Sequence, residues 1–399
     1  MNRSSNNRSL TPLFCLHQAF FYFAITGISA FAVAYLVDKG FSTAQVGITL
    51  AATNLLSCVL QPMLGSFVDK RSPALLPRMI IGFLTVSFSC LFCVEILRPS
   101  LTATRVLYIL GYLTYSVTLS LGNSMCAHYS QNGYRVDYGM GSGLGSLSFS
   151  FASLILGTVI ARLGMRIMML IALLFILLQI VLVLFYPKIS AEAGAAARQA
   201  DRAETSSLSI PAFFLRYRRF MLTMLGVALL AACHAMAENF LLQLFERIGG
   251  NSENVGITLF LACVTAAVPT ILFEKIQRKV SITLLMRLSG LFYILKALLL
   301  IFASSVTAIY LIGLLQTCTY VFLFPSLYYF ARARIAPADM VKGQTITSST
   351  FSLGVALGNS LGGTMIDAVG LNAMLALAAV FAAAGTLIIN LIIARKDAA

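Results

Sequence analysis

Charge is scarce in this 399-residue chain: 11% of its residues are charged, 14 are acidic, and only three are histidine. With 59% hydrophobic residues and a mean hydropathy of +0.89, no water-soluble core could absorb the apolar content. Several chemistries are excluded by what is missing. No H-E-x-x-H and no paired aspartates occur within apolar stretches, and the histidines are scattered, so an intramembrane enzyme is not expected. No Lys-Ser or Lys-Thr pair follows a glycine loop, which removes ATP-driven action. Eight cysteines all fall inside apolar runs without zinc or haem spacing, so neither a disulfide frame, a metal nor a cofactor is implied. The formal charge of +14 sits at the ends of apolar runs instead of on one face interleaved with aromatics, which argues against nucleic acid.

What is present is about twelve apolar stretches of roughly twenty residues, the length that crosses a bilayer as a helix. The runs Met140 to Ile160, Ile167 to Tyr186 and Ala373 to Ile393 carry no interior charge. The joints predict helices at 12–37, 43–67, 75–97, 103–128, 140–162, 165–187, 218–246, 252–274, 281–304, 306–331, 342–366 and 370–393. The first run is longer than a signal-peptide core and is read as a retained helix. About twenty Lys and Arg fall on the side of the termini and about six opposite, so both ends are expected in the cytoplasm of a multi-pass protein of the cell (inner) membrane.

The stretch after Lys188 is rich in small, charged and serine residues and reads as a cytoplasmic linker, 188–217, between two bundles, 1–187 and 218–399. The halves echo each other. Tyr108, Gly111 and Leu113 match Tyr310, Gly313 and Leu315, while Gly157 and Gly164 match Gly363 and Gly370, in order and at nearly one offset.

In the joint after the second run, Gly65, Asp69, Lys70 and Arg71 form G-x-x-x-D-K-R, followed by Ser72 and Pro73. The pattern resembles the cytoplasmic signature of the major facilitator superfamily, with its second half degraded. Phe21-Tyr22-Phe23, Gly27, Gly47-Ile48, Gln61-Pro62 and Gly65 look like the first two helices of lactose permease and related oligosaccharide:proton symporters. The resemblance implies an all-α membrane protein of twelve transmembrane helices in two pseudo-symmetric six-helix bundles, working as a monomer. Gly65, Asp69, Lys70 and Arg71 would then gate the cytoplasmic side. An acid at a helix end accepts from a helix N-terminus or an arginine, and the basic pair faces anionic headgroups. The alternative for Lys70 and Arg71 is plain positive-inside charge.

Ionisable groups inside spans carry functional weight because each is costly in hydrocarbon. Glu238 lies well inside the seventh span, with His234 four residues earlier on the same helical face. Desolvation favours the protonated form of a carboxyl and a neighbouring imidazole can trade the proton, so the two form a candidate proton-coupling site. Lys296 stands where lactose permease carries a ninth-helix arginine of its coupling cluster, but the tenth-helix histidine and glutamate fall on Gln316 and Thr319. A structural Glu238 to Lys296 pair is the competing expectation. The charged galactoside grip is also lost, since Ser124 and Ser142 occupy its positions. Neutral hydrogen-bonding groups remain as substrate candidates: His17, Gln18 and Tyr22; Asn123 and His128; Gln316 and Tyr320; and Asn359. For each, interhelical hydrogen bonding is the alternative. The G-P-x-x-G-G pattern of drug:proton antiporters is missing. The expected function is secondary uptake of a small polar solute, a sugar or oligosaccharide, by proton symport, with drug or metabolite antiport and uniport as alternatives.

Overall fold

The computed structural model describes residues 9–69, 75–187, 210–336 and 339–394. Twelve long helical segments are formed by them. α1 runs through Thr11–Ile25, a wide π turn at Thr26–Ala30, and Ala32–Asp38. It is followed by α2 (Thr43–Asp69), α3 (Leu76–Leu97), α4 (Leu101–Gln131), α5 (Tyr138–Leu163) and α6 (Met165–Leu184). A short helix, Ile210–Arg216, precedes α7, which spans Arg218–Asn239 and Leu241–Glu246 with a break at Phe240. α8 comprises Ser252–Ile271 and Phe273–Lys279, and α9 is Ile282–Phe302. α10 is made of Val306–Gly313, a π turn at Thr317–Val321, and Phe322–Arg334. α11 (Met340–Ala368) and α12 (Leu371–Ala394) complete the set.

Local chemistry starts these helices where the apolar runs begin. Asp137 caps α5 by accepting from the Met140 amide at 2.8 Å, and Ser281 and Ser305 cap α9 and α10 in the same way. Asn251 and Asn254 close a reciprocal box on α8. Ten of the twelve are long and apolar enough to cross a membrane, by length and composition alone. α4 and α11 are long enough, at 31 and 29 residues, but richer in hydroxyl and amide side chains.

The helices divide into two compact units, Met1–Tyr35 with Leu56–Ala203, and Leu36–Leu55 with Glu204–Ala399. The first half of α2 thus clusters with the helices of the second unit. Packing within each unit follows one scheme. In the first, α1 packs on α5 and α6, and α3 on α4 and α6; in the second, α7 packs on α11 and α12, and α9 on α10 and α12. The repeat extends to the backbone: Gly164 between α5 and α6 and Gly370 between α11 and α12 both have left-handed φ, 88° and 107°. Without a Cβ, glycine takes that conformation at little cost, so the matched pair of glycines marks two equivalent tight joints.

Close approach of α11 to α7 depends on glycine as well. A Cβ at Gly354 or Gly358 would collide with the carbonyl oxygens of Ala228 and Ala232. In hydrocarbon, where burial of apolar surface gives no drive to pair, such backbone proximity provides the dispersion contacts that hold helices together.

Candidate functional site

Polar side chains gather in each unit on the helix that opens its repeat and on helices bonded to it. In the first unit the Gln18 amide on α1 donates to Asn123 Oδ1 on α4 at 2.8 Å. His17, fully buried, places Nε2 3.4 Å from Gln179 Nε2 on α6. Gln179 Oε1 in turn accepts from the Tyr115 hydroxyl at 3.0 Å, which also reaches the Phe21 carbonyl at 3.1 Å. His17 Nδ1 and Gln18 Oε1 are buried and have no hydrogen-bond partner among the described residues. Gly122 is required here, since a Cβ would lie 2.7 Å from His17 Nε2. Tyr22 lies against Gly145 of α5, where a Cβ would stand 2.5 Å from its ring. His128 sits in the last turn of α4.

Of these, Gln179 and Tyr115 were not among the residues singled out from sequence. The signal was present: Gln179 is the one polar residue after Arg166 in the run that forms α6. Glu95, near the end of α3, is 1% exposed, accepts from the Tyr35 hydroxyl at 2.9 Å and faces Arg166 at 3.8 Å. A tyrosine from α1 and an arginine from α6 thus hold the carboxylate.

In the second unit Glu238 on α7 and Lys296 on α9 form a charge-assisted hydrogen bond, and Lys296 Nζ also donates to Gln316 Oε1 on α10 at 3.0 Å. The two charged side chains are 16% and 5% exposed. Three helices are tied by one ammonium, and two of its three protons have acceptors in this group. One turn before Glu238, the His234 ring stacks on Tyr320 at 5.4 Å and meets Tyr293 edge-on at 6.1 Å. Tyr320 stacks in turn on Phe324 at 5.1 Å, and Phe351 of α11 stands across both. Gln316, Tyr320 and Phe324 share a face of α10 by their four-residue spacing. Asn359 accepts from Asn239 at 2.5 Å, binding α11 to the residue beside Glu238.

Three of the helices that carry these groups are irregular: α1 and α10 have π turns and α7 breaks at Phe240, and each departure leaves backbone groups free to shift partners. The four gating residues stand differently. Gly65 and Asp69 close α2, where the backbone alone is described, and Lys70 and Arg71 lie outside the described residues.

The other end of α2 holds an interaction that sequence reading missed. Ser42 and Gln45 cap the helix reciprocally, at 3.2 and 3.3 Å. Asp367, in the last turn of α11, accepts from the Thr43 hydroxyl and from the Ala44 amide, the latter at 2.8 Å. A carboxylate at a helix N-terminus complements the free amides and the macrodipole. Gly47 and Gly363 let the two backbones meet, since a Cβ on either would strike the carbonyl of Asn359 or Thr43.

Twelve apolar helices in two equivalent sets, with ionisable and amide side chains bonded from helix to helix inside each, define a membrane transporter. The chain belongs to the MFS_1 like family, whose model matches residues 17–376, and is a multi-pass membrane transporter of the major facilitator type, not an enzyme. Its fold is accordingly all-α, with twelve helices in two pseudo-symmetric six-helix bundles. A mutant of the nucleoside transporter NupG is similar over 96% of this chain and 98% of its own, at 17% identity and TM-score 0.81. An auto-inhibited peptide transporter of the POT family covers 96% and 95%, at 13% identity and TM-score 0.68. The human organic anion transporter MFSD10 (TETRAN) covers 95% and 98%, at 15% identity and TM-score 0.63. A sequence search of curated proteins finds no significant match.

Proposed function

We propose that the chain takes up a small neutral polar solute, a sugar or oligosaccharide, by proton symport, in the manner of the lactose permease group it resembles. The observation that carries this is the buried Glu238, Lys296 and Gln316 group in a chain whose spans are otherwise nearly free of charge. Glu238 is the proton carrier. Protonated, it no longer holds Lys296 as an ion, and the ammonium keeps Gln316 alone; deprotonated, it recovers the pair. His234, one turn away, tunes the exchange. The neutral groups His17, Gln18, Tyr22, Asn123 and His128 on one side, and Gln316, Tyr320 and Asn359 on the other, bind the solute's hydroxyls without the desolvation penalty of a charge. Bundles 1–187 and 218–399, joined by the linker 188–217, rock in alternating access, with Gly65, Asp69, Lys70 and Arg71 as the cytoplasmic gate. The protein works as a monomer in the cell membrane with both termini cytoplasmic.

A nucleoside is the second reading for the solute. The His234, Tyr320 and Phe324 column favours a planar ring, and one similar structure is named a nucleoside transporter. The test is proton movement in vesicles containing the purified protein, as sugars, nucleosides and cationic drugs are added on one side. External alkalinisation with a sugar supports symport, a nucleoside response transfers the substrate class, and proton release with a lipophilic cation replaces uptake by antiport. Glu238→Gln should abolish uphill accumulation and retain solute exchange; unchanged accumulation would remove Glu238 as carrier.

A further inference from the structure

Away from the buried groups, the second unit carries a concentration of arginine that transport does not use. The short helix before α7 ends on Arg216, α7 opens with Arg218 and Arg219, and Arg334 closes α10. These four, with Tyr217 and Leu215, line one hollow of about 450 Å³. Two stretches more than a hundred residues apart in sequence therefore bring arginines to the wall of one hollow.

Among the described residues no carboxylate lines the hollow. The nearby acid Asp339 accepts from the Tyr217 hydroxyl at 3.0 Å, and that hydroxyl accepts from the Ala336 amide at 3.2 Å. Those bonds tie the short helix to the end of α10 and fix the hollow's wall. Arg216 lies over the Tyr217 ring at 5.6 Å and Arg334 over Phe330 at 5.0 Å. Stacking engages the face of a guanidinium and leaves the in-plane N–H edges of Arg216 as donors for oxygen. On the same short helix, Phe214 and Leu215 are 47% and 79% exposed. Apolar side chains that remain exposed beside a cluster of arginines suit a ligand with a hydrocarbon part and an anionic part.

We propose that this hollow binds the phosphate headgroup of an anionic phospholipid, with the acyl chains along Phe214 and Leu215. Arginine suits the role better than lysine, because its planar fork meets phosphate oxygens two at a time. Positive charge that only orients a chain in the membrane needs neither convergence on a hollow nor guanidinium. The proposal does not depend on what the protein transports.

The test uses the full chain in a mild detergent, with thermal unfolding followed as phosphatidylglycerol, cardiolipin, phosphatidylcholine or inorganic phosphate is added. The expected result is a saturable rise in Tm with either anionic lipid and none with phosphatidylcholine or phosphate. In the triple variant Arg216→Gln, Arg218→Gln, Arg219→Gln the apparent lipid affinity should weaken roughly a hundredfold. Because the three side chains are exposed, their loss leaves the packed helices intact, and the variant's own lipid-free Tm monitors folding. Arg278→Gln is the control: it removes an exposed arginine paired with Glu274 on α8 and should leave the lipid response unchanged. An equal loss in that control would reduce the effect to general charge and overturn the site. A rise produced by inorganic phosphate alone would assign the hollow to a soluble anion and overturn the lipid.

Discussion

Lys296 joins three helices of the second unit, because one ammonium on α9 holds a carboxylate on α7 and an amide on α10. Breaking a buried pair from one side strands the other charge, at a cost of about 3–5 kcal/mol, whereas removing both partners is far milder. Lys296→Gln should therefore lower Tm markedly, and Glu238→Gln added to it should restore most of the loss without restoring uphill transport. Thermal unfolding and solute accumulation, measured on the same preparations, separate the structural share of the pair from its coupling share. Asp367 makes the second residue-scale prediction. It lies past the predicted span 342–366, where burial pushes its carboxyl up, but hydrogen bonds from Thr43, the Ala44 amide and Ser42 outweigh this and hold it below the ordinary value. A carboxyl depressed in the folded state contributes fully above the ordinary carboxylate range and loses that contribution as pH falls through its folded value. Amide exchange at Thr43 and Ala44, corrected for intrinsic rates, should accelerate in acid in the native chain and be fast at every pH in Asp367→Asn. Glu238 and Lys296 could be picked out from sequence because charge inside an apolar run is rare. Asn239, Tyr115 and Asp367 could not, because an amide, a phenol or an acid at a helix end becomes informative only once another helix supplies its partner.

At the scale of helices, glycine decides which pairs approach. Gly358 touches the backbone of Ala232, while Gly82 on α3 has open space where a side chain would go. Gly358→Val should destabilise by about 1–3 kcal/mol through overpacking, and Gly82→Ala should be neutral or slightly stabilising. A matching loss from both variants would show that helix propensity, not close approach, governs these positions. The helix limits were largely legible: the predicted span 43–67 corresponds to Thr43–Asp69, and 281–304 to Ile282–Phe302. The interruptions were not. Thr26–Ala30 and Thr317–Val321 are π turns within continuous apolar runs, and hydropathy is blind to a hydrogen bond that moves from one carbonyl to the next.

For the whole molecule, the excess of Lys and Arg on one side of the spans predicts orientation. A membrane-impermeant label on a cysteine added at either terminus should react in inside-out vesicles and not in right-side-out ones; the reverse would invert the protein in the membrane. The sequence by itself determined that this chain lives in a bilayer, how many helices cross it, and that the halves repeat. Each of those follows from local quantities, apolar length and the spacing of small residues, because hydrocarbon forces every backbone group to be satisfied within its own helix. Only the tertiary structure decided that Gln179 joins His17, that Asp367 caps α2, and that four arginines from two distant stretches share one hollow. Those pairings depend on which helix faces turn toward each other, and apolar composition, nearly uniform around many of these helices, does not specify a facing direction.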